Sequence, residues 1–86
     1  MDHDLRKPGL EMKPIEAVHQ GVGVRIRSVR ETLGISQAEL AKRVNLTRTS
    51  LVNIEAGRQR MLLHSVEDFA RALGTTPKTL LKGIWW

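Results

Sequence analysis

Apolar side chains recur at intervals of three and four residues along most of the chain, which is the spacing of amphipathic α-helices. The first such stripe follows Pro14 and consists of Ile15, Val18, Val22, Ile26, Val29 and Leu33. Gly21 and Gly23 lower the helix propensity early in this stripe. The pattern therefore predicts a helix whose secure part is about 23–33 and which ends at Gly34.

Four further helices are predicted from residues that favour helix starts. The run from Ser36 to Glu39 has the form of a capping box, in which the Ser36 hydroxyl accepts from the Glu39 amide and the Glu39 side chain reaches back. Thr47 and Ser65 are N-cap candidates for the third and fourth helices, and Thr76-Pro77 opens the fifth. The inward-facing residues of these helices are expected to be Leu40, Ala41, Val44, Leu51, Ile54, Val66, Phe69, Ala70, Leu73, Leu80, Leu81 and Ile84.

The second and third helices are joined by only a few residues, Val44 to Thr47. Such a short link forces a steep crossing angle, which is the helix-turn-helix arrangement. Asn45 suits the turn because asparagine tolerates the left-handed conformation. Nothing in the chain alternates as a β-strand does, so we expect an all-α fold, a compact five-helix bundle whose third and fourth helices end at Gly57 and Gly74.

The stretch from Ser36 to Gly57 closely resembles the phage-repressor type of helix-turn-helix, the Xre-like or Cro-type family of transcriptional regulators. The resemblance rests on a Ser-Gln-x-Glu-Leu-Ala opening and an Ile-Glu-x-Gly ending, which are specific in combination. It extends from about Ile26 to Gly83, with Asn45 where the family usually has glycine. It implies a lambda-repressor-like DNA-binding domain over residues 14–83.

The third helix has an outward face suited to reading bases. If Leu51 and Ile54 point inward, then Arg48, Thr49 and Asn53 lie on the opposite side. The resemblance implies base contacts at these three positions. Arginine can bind guanine O6 and N7, asparagine can bind adenine N6 and N7, and threonine can offer its hydroxyl to a base or its methyl to thymine. The alternative is that these residues form an ordinary solvated helix face.

Contacts to the DNA backbone are expected around this helix. The resemblance implies that Gln37, the first residue after a helix cap, binds a phosphate. Thr47 and Ser50 are possible phosphate donors, although Thr47 also serves as a cap. Arg58 and Arg60 follow the third helix in a loop, where they bind phosphates or enter the minor groove, or are simply solvated.

Other charged residues are expected to serve the fold. Arg27 and Arg30 share a helix face with Glu31, which favours local ion pairing, and Arg25 cannot point the same way as both of them. The resemblance implies a mostly structural role for Glu55, which is therefore not expected to belong to the site.

Composition narrows the classes of function. The 86 residues carry a formal net charge of +5. Residues 22–86 hold 11 basic and five acidic side chains, so the positive excess lies on the part that is expected to fold. A basic compact domain suggests a nucleic-acid partner, here double-stranded DNA, although solubilising charge would give the same balance.

Catalysis and metal binding are not expected. The absence of cysteine excludes a disulfide framework, a cysteine zinc site and a thiol nucleophile. His3, His19 and His64 are scattered, with no metal-ligand spacing. Five short helices leave little room for a pocket with an acid–base pair. We therefore expect no enzyme activity, no metal and no cofactor.

The two ends of the chain differ from its middle. Residues 1–13 carry mixed charge with Pro8 and Gly9, which predicts a flexible arm. Residues 84–86 form an apolar tail. No apolar run approaches the ~20 residues of a membrane span, and the start lacks the order of a signal peptide, so we expect a cytoplasmic protein that does not bind membranes.

The leading hypothesis is a dimeric repressor of a near-palindromic operator. A single helix-turn-helix contacts few base pairs, and large exposed apolar groups often mark an interface. The candidate dimer surface is Leu80, Leu81, Ile84, Trp85 and Trp86. The alternative for the tryptophans is that they fold back onto their own core.

Two other functions remain open from the sequence. The first is an antitoxin that neutralises a partner toxin through the arm or the tail and autoregulates its operon. The second is a protein-interaction module that keeps the fold without binding DNA.

Overall fold

The computed structural model describes residues 15–84; the predicted arm at 1–13, with His3, and the tail residues Trp85 and Trp86 lie outside the described residues. Five helices follow one another: α1 (Ile15–Thr32), α2 (Gln37–Arg43), α3 (Arg48–Glu55), α4 (Leu63–Leu73) and α5 (Pro77–Leu81). No β-strand occurs between residues 15 and 84. The prediction of an all-α, five-helix fold is confirmed. None of these helices is both long enough and apolar enough to span a bilayer.

Helix α1 is longer at its start than the secure part predicted from sequence. Its early glycines have a packing role that offsets their low propensity: a methyl group at Gly23 would overlap the backbone oxygen of Ile54. The helix ends at Thr32, and Gly34 turns the chain with φ 71°. Leu33, expected in the apolar stripe, is 50% exposed because it follows the last helical residue. That part of the stripe was wrong.

Three of the predicted helix caps are present. The hydroxyl oxygens of Ser36, Thr47 and Thr76 each accept a hydrogen bond from the amide three residues later, at 3.0, 3.0 and 3.2 Å. The second half of the capping box is absent because the Glu39 carboxylate accepts from Arg43 Nε at 3.1 Å instead of reaching back.

The predicted start of the fourth helix was wrong. Helix α4 begins at Leu63 with Leu62 as its N-cap residue, and no side chain caps it. Ser65 lies within the first turn, where its amide donates to the Leu62 carbonyl at 2.9 Å. Met61 packs against the core just before this start. Tertiary packing, rather than a capping hydroxyl, therefore sets where α4 begins.

The core lies between all five helices and holds α3 in place. Its largest fully buried side chains are Ile26, Leu40, Leu51, Phe69 and Leu80. These residues come from five different helices, so each helix depends on the others for its position. The turn between α2 and α3 has Asn45 at φ 57°, as predicted, and this turn orients α3 against α2.

Two residues of the candidate dimer surface belong to this core. Leu80 is 0% exposed and Ile84 is 9% exposed, so neither offers appreciable surface to a second copy. Leu80 lies on the apolar face of α5 as predicted, whereas Ile84 follows the end of α5, and both were expected at the surface but belong to the core. Leu81 is half-buried at the edge of the core.

Candidate nucleic-acid interface

Helix α3 presents the predicted base-reading residues together on its outer side. Leu51 and Ile54 are buried beneath it, at 0% and 2% exposure. Arg48 and Thr49 are exposed at its first turn, and Asn53 is half-buried one turn later. The side chains lie on the face that the helical period places opposite the buried pair. The structure therefore brings these three residues onto one accessible surface.

Arg48 differs from every other arginine in residues 15–84. Seven of the eight arginines there have a hydrogen-bonding or ion-pairing partner within the chain: Arg25, Arg27, Arg30, Arg43, Arg58, Arg60 and Arg71. Within that segment Arg48 has none. A guanidinium group has five N–H donors and no acceptor, so those of Arg48 are available to an external acceptor.

Asn53 and Arg58 form a connected pair at the end of α3. The Arg58 amide donates to the Asn53 carbonyl at 2.8 Å, and Arg58 Nε donates to Asn53 Oδ1 at 3.4 Å. The first of these bonds fixes the backbone of Arg58 at the helix end. The two side chains therefore lie beside each other on the outer surface.

The other expected backbone contacts lie on either side of these residues. The hydroxyl of Thr47 accepts from the Ser50 amide, so Thr47 acts as a cap as expected, and Ser50 is half-buried. The side chain of Arg60 is 75% exposed, and its Nη2 lies 3.7 Å from Glu16 Oε2. An ion pair this exposed is weak, so Arg60 can exchange the carboxylate for another anion.

Beneath this surface lies a buried ion pair between α1 and α3. Arg30 Nε and Nη2 donate to the two carboxylate oxygens of Glu55 at 2.7 and 3.0 Å, and Arg30 Nη1 donates to the Ile35 carbonyl at 2.9 Å. The two side chains are 9% and 3% exposed. Hydrogen bonding to the Glu55 carboxylate raises the pKa of Arg30 above its ordinary value, against the opposing effect of burial.

Gln37 belongs to the same network. Its Nε2 donates to Glu55 Oε1 at 3.1 Å, so the side chain is directed toward the buried carboxylate. The first residue of α2 is thereby tied to the last residue of α3. The prediction treated Gln37 as a separate phosphate ligand and did not anticipate this bond.

Further long-range contacts, made by Arg30 and Arg25, were also missed from the sequence. Arg30 pairs with Glu55, 25 residues away, and not with Glu31, whereas the expected Arg27–Glu31 pair is present at 3.2 Å. Arg25 donates to the carbonyls of Thr79 and Lys82, at 2.7 and 3.0 Å, and so binds the end of α5 to α1. Residue spacing indicates partners within one helix only, so no signal in the sequence would have found these contacts.

Nothing in the described segment has the arrangement of a metal centre. Between residues 15 and 84, no three histidine, cysteine or acidic side chains lie close enough together to hold a metal ion. His19 accepts a hydrogen bond from the Met61 amide, and His64 is exposed on α4.

Comparison with known proteins gives a family and several relatives. Residues 22–81 match the helix-turn-helix domain family. An HTH-type transcriptional regulator of Methanothermobacter thermautotrophicus is 45% identical over 49 residues, 57% of this chain and 71% of that protein. Control protein C.BamHI of Bacillus amyloliquefaciens is 37% identical over 60 residues, 69% of this chain and 74% of that protein. The immunity repressor of Bacillus phage phi105 is 40% identical over 53 residues, 62% of this chain but only 37% of the repressor.

Solved structures have the same fold. A transcription factor from Neisseria, NHTF, described as hypothetical, superposes with a TM-score of 0.71 at 31% identity, covering 83% of this chain and 82% of that one. The restriction-modification controller protein C.AhdI of Aeromonas hydrophila superposes with a TM-score of 0.68 at 31% identity, covering 71% of this chain and 92% of that one. The fold of this chain is therefore similar to the folds of a transcription factor and of a restriction-modification controller protein.

Proposed function

We infer that this chain, which belongs to the helix-turn-helix domain family over residues 22–81, is a DNA-binding transcriptional regulator. One of its relatives is named an HTH-type transcriptional regulator. This class consists of binding proteins and not of enzymes. In such proteins the second helix of the motif enters the major groove while the first crosses the DNA backbone. The helices in question are α2 and α3.

We propose that α3 reads a specific double-stranded DNA sequence through Arg48, Thr49 and Asn53. The observation that carries this proposal is the exposure of Arg48 without any partner in the described segment, when the other arginines there are all engaged. A guanidinium at the start of the helix that has no partner among residues 15–84 is suited to the bidentate contact with guanine. Asn53, next to Arg58, is suited to adenine.

Residues around α3 would position the protein on the DNA backbone. Gln37, Thr47 and Ser50 lie at the starts of the two helices, and Arg58 and Arg60 lie in the loop that follows. Phosphate contacts carry no sequence information but fix the orientation of the reading helix. The bond from Gln37 to Glu55 would keep the backbone contact and the base contacts in one register.

The biological role proposed is a cytoplasmic repressor that acts as a dimer on a near-palindromic operator. The relatives named an immunity repressor and a control protein support a role of this kind. Half-sites would lie about one turn of DNA, ~34 Å, apart. An eight-residue α3 can contact only a few base pairs, which favours the use of two copies.

The test is a selection of binding sites from random duplexes, followed by affinity measurements at two salt concentrations. The native protein should select a sequence, and its affinity should fall as salt rises. Arg48→Ala should lose about 1–3 kcal/mol on the selected site and relax the preference at one base pair.

Arg71→Ala is the matched control, because it removes the same charge from an exposed position on α4 whose partner is Asp68. It should weaken binding slightly, and equally on all sequences. If the native protein selects no sequence, the DNA-reading proposal fails and a protein-interaction module takes its place. If Arg71→Ala alters the base preference as Arg48→Ala does, the assignment of Arg48 fails.

A further inference from the structure

The first turns of α1 contact the loop that follows α3. The Met61 amide donates to His19 Nδ1 at 3.5 Å, and Glu16 Oε2 lies 3.7 Å from Arg60 Nη2. Gln20 packs so closely on Gly57 that a Cβ atom there would lie 2.6 Å from Gln20 Cγ. All three contacts come from residues 16–20, which precede the family match at 22–81.

This loop, residues 57–61, carries the two arginines proposed to contact the DNA backbone. Only its ends are fixed by the rest of the fold: Arg58 is bonded to Asn53 at the end of α3, and Met61 packs against the core. Between them the chain forms no helix. The residues of α1 add contacts at both ends of the loop, at Gly57 and Met61, and one to Arg60 between them.

We propose that His19 and Gln20 position this loop for the DNA backbone and that His19 is the principal positioning residue. The proposal rests on the proposed function. A loop held in its binding conformation loses less conformational freedom when its arginines contact phosphates, so the affinity for DNA is higher. His19 can act in this way only as the tautomer whose Nδ1 carries no proton, because that nitrogen accepts the hydrogen bond.

Two substitutions separate this role from a general effect on the helix. In His19→Asn the amide oxygen replaces Nδ1 as an acceptor, whereas in His19→Gln the amide lies one bond farther out, near the former Nε2. Helix propensity ranks glutamine above asparagine, so an effect on α1 alone would favour His19→Gln. Positioning of the loop predicts the opposite order.

The affinity of each full-length variant is measured on a duplex selected by the native protein. His19→Asn should bind within about twofold of the native protein, and His19→Gln about fivefold more weakly, the usual scale of one lost hydrogen bond. The slope of log affinity against log salt should fall by up to about 1 for His19→Gln as a phosphate contact is lost.

Hydrogen exchange of the Met61 amide, measured without DNA, tests the contact itself. Exchange should be faster in His19→Gln than in the native protein and near native in His19→Asn. His64→Gln is the control because His64 is an exposed histidine on α4, and it should change neither exchange nor affinity. Equal exchange in the two His19 variants overturns the proposal, as does equal or tighter DNA binding by His19→Gln. If the native protein selects no duplex, the proposed function itself fails, which is a distinct result.

Discussion

At the scale of single residues, the Glu55 carboxylate connects three parts of the fold. It accepts from Arg30 on α1 and from Gln37 at the start of α2, while its own backbone lies at the end of α3. Hydrogen bonding to Glu55 raises the pKa of Arg30 in the folded protein. The folded state is therefore stabilised by this shift, and the stabilisation is fully present at any pH below the ordinary arginine pKa. It would be lost only as pH rises through the higher folded pKa, so it is constant through the neutral range.

Removing this carboxylate should be costly. Glu55→Ala leaves the buried Arg30 guanidinium without its partner, which typically destabilises a protein by about 3–5 kcal/mol. We expect a loss of about 3 kcal/mol in the free energy of unfolding, measured by urea denaturation followed by circular dichroism. This is a large part of the stability of a domain of this size.

Glu31→Ala is the matched control for that experiment. It makes the same substitution in the Arg27–Glu31 pair, whose side chains are 62% and 55% exposed. Exposed pairs of this spacing contribute about 0.3–0.5 kcal/mol. If the two variants lose similar stability, the buried pair does not hold the helices together as its geometry implies.

At the scale of helices, local sequence signals predicted most ends and failed where packing decides. Three caps were predicted correctly, at Ser36, Thr47 and Thr76. Local sequence is sufficient here because a capping hydroxyl accepts from an amide that is only three positions away in the chain. Ser65 was assigned by the same rule, yet α4 begins at Leu63. No cap operates there, and the packing of Met61 against distant residues is not visible in local sequence.

In the candidate site too, some features could be predicted from local sequence and others depend on contacts between helices. The outward face with Arg48 and Thr49 follows from helical periodicity once Leu51 is known to be buried. The orientation of Gln37 does not, because it depends on Glu55, 18 residues away. Contacts between helices therefore had to be seen in the structure, whereas the face of one helix could be predicted.

A close approach between α1 and α3 explains why α1 contains Gly23. A methyl group there would overlap the Ile54 carbonyl oxygen and lie 3.1 Å from the backbone carbonyl oxygen of Glu55. Inside an exposed helix, changing glycine to alanine raises stability by roughly 0.5–1 kcal/mol. Gly23→Ala should instead lower the free energy of unfolding by about 1–3 kcal/mol, the usual cost of overpacking, in urea denaturation.

Gly21→Ala provides the comparison on the same helix. The three atoms nearest to a methyl group at Gly21 would all be side-chain atoms of Ile84, the first at 2.8 Å. Ile84 lies after α5, where its side chain can shift more readily than a backbone carbonyl. The Gly21→Ala variant should therefore lose clearly less free energy of unfolding than Gly23→Ala. A stabilised Gly23→Ala protein would mean that α1 and α3 can separate without cost.

At the scale of the whole molecule, the fold presents one face of α3 and buries two of the residues expected to join two copies. Leu80 and Ile84 are taken up by the core, so of the candidate dimer residues Leu81 and the two terminal tryptophans remain. Trp85 and Trp86 follow Ile84 directly and are the two largest apolar side chains of the protein. We expect them to supply the contact between two copies.

Removal of Trp85 and Trp86 alone should therefore weaken self-association. Ile84 must be kept, because its loss would open the core and confuse stability with assembly. Sedimentation equilibrium should show the native chain as a dimer and the shortened chain shifted toward monomer, with unchanged helical circular dichroism. A chain lacking residues 1–13 is the control and should remain dimeric. If the chain without the tryptophans dimerises as before, two copies meet elsewhere.

Operator binding by the shortened chain tests whether assembly and DNA recognition are connected. The shortened chain should bind the operator more weakly and keep its base preference, because a monomer keeps the reading helix but contacts only one half-site.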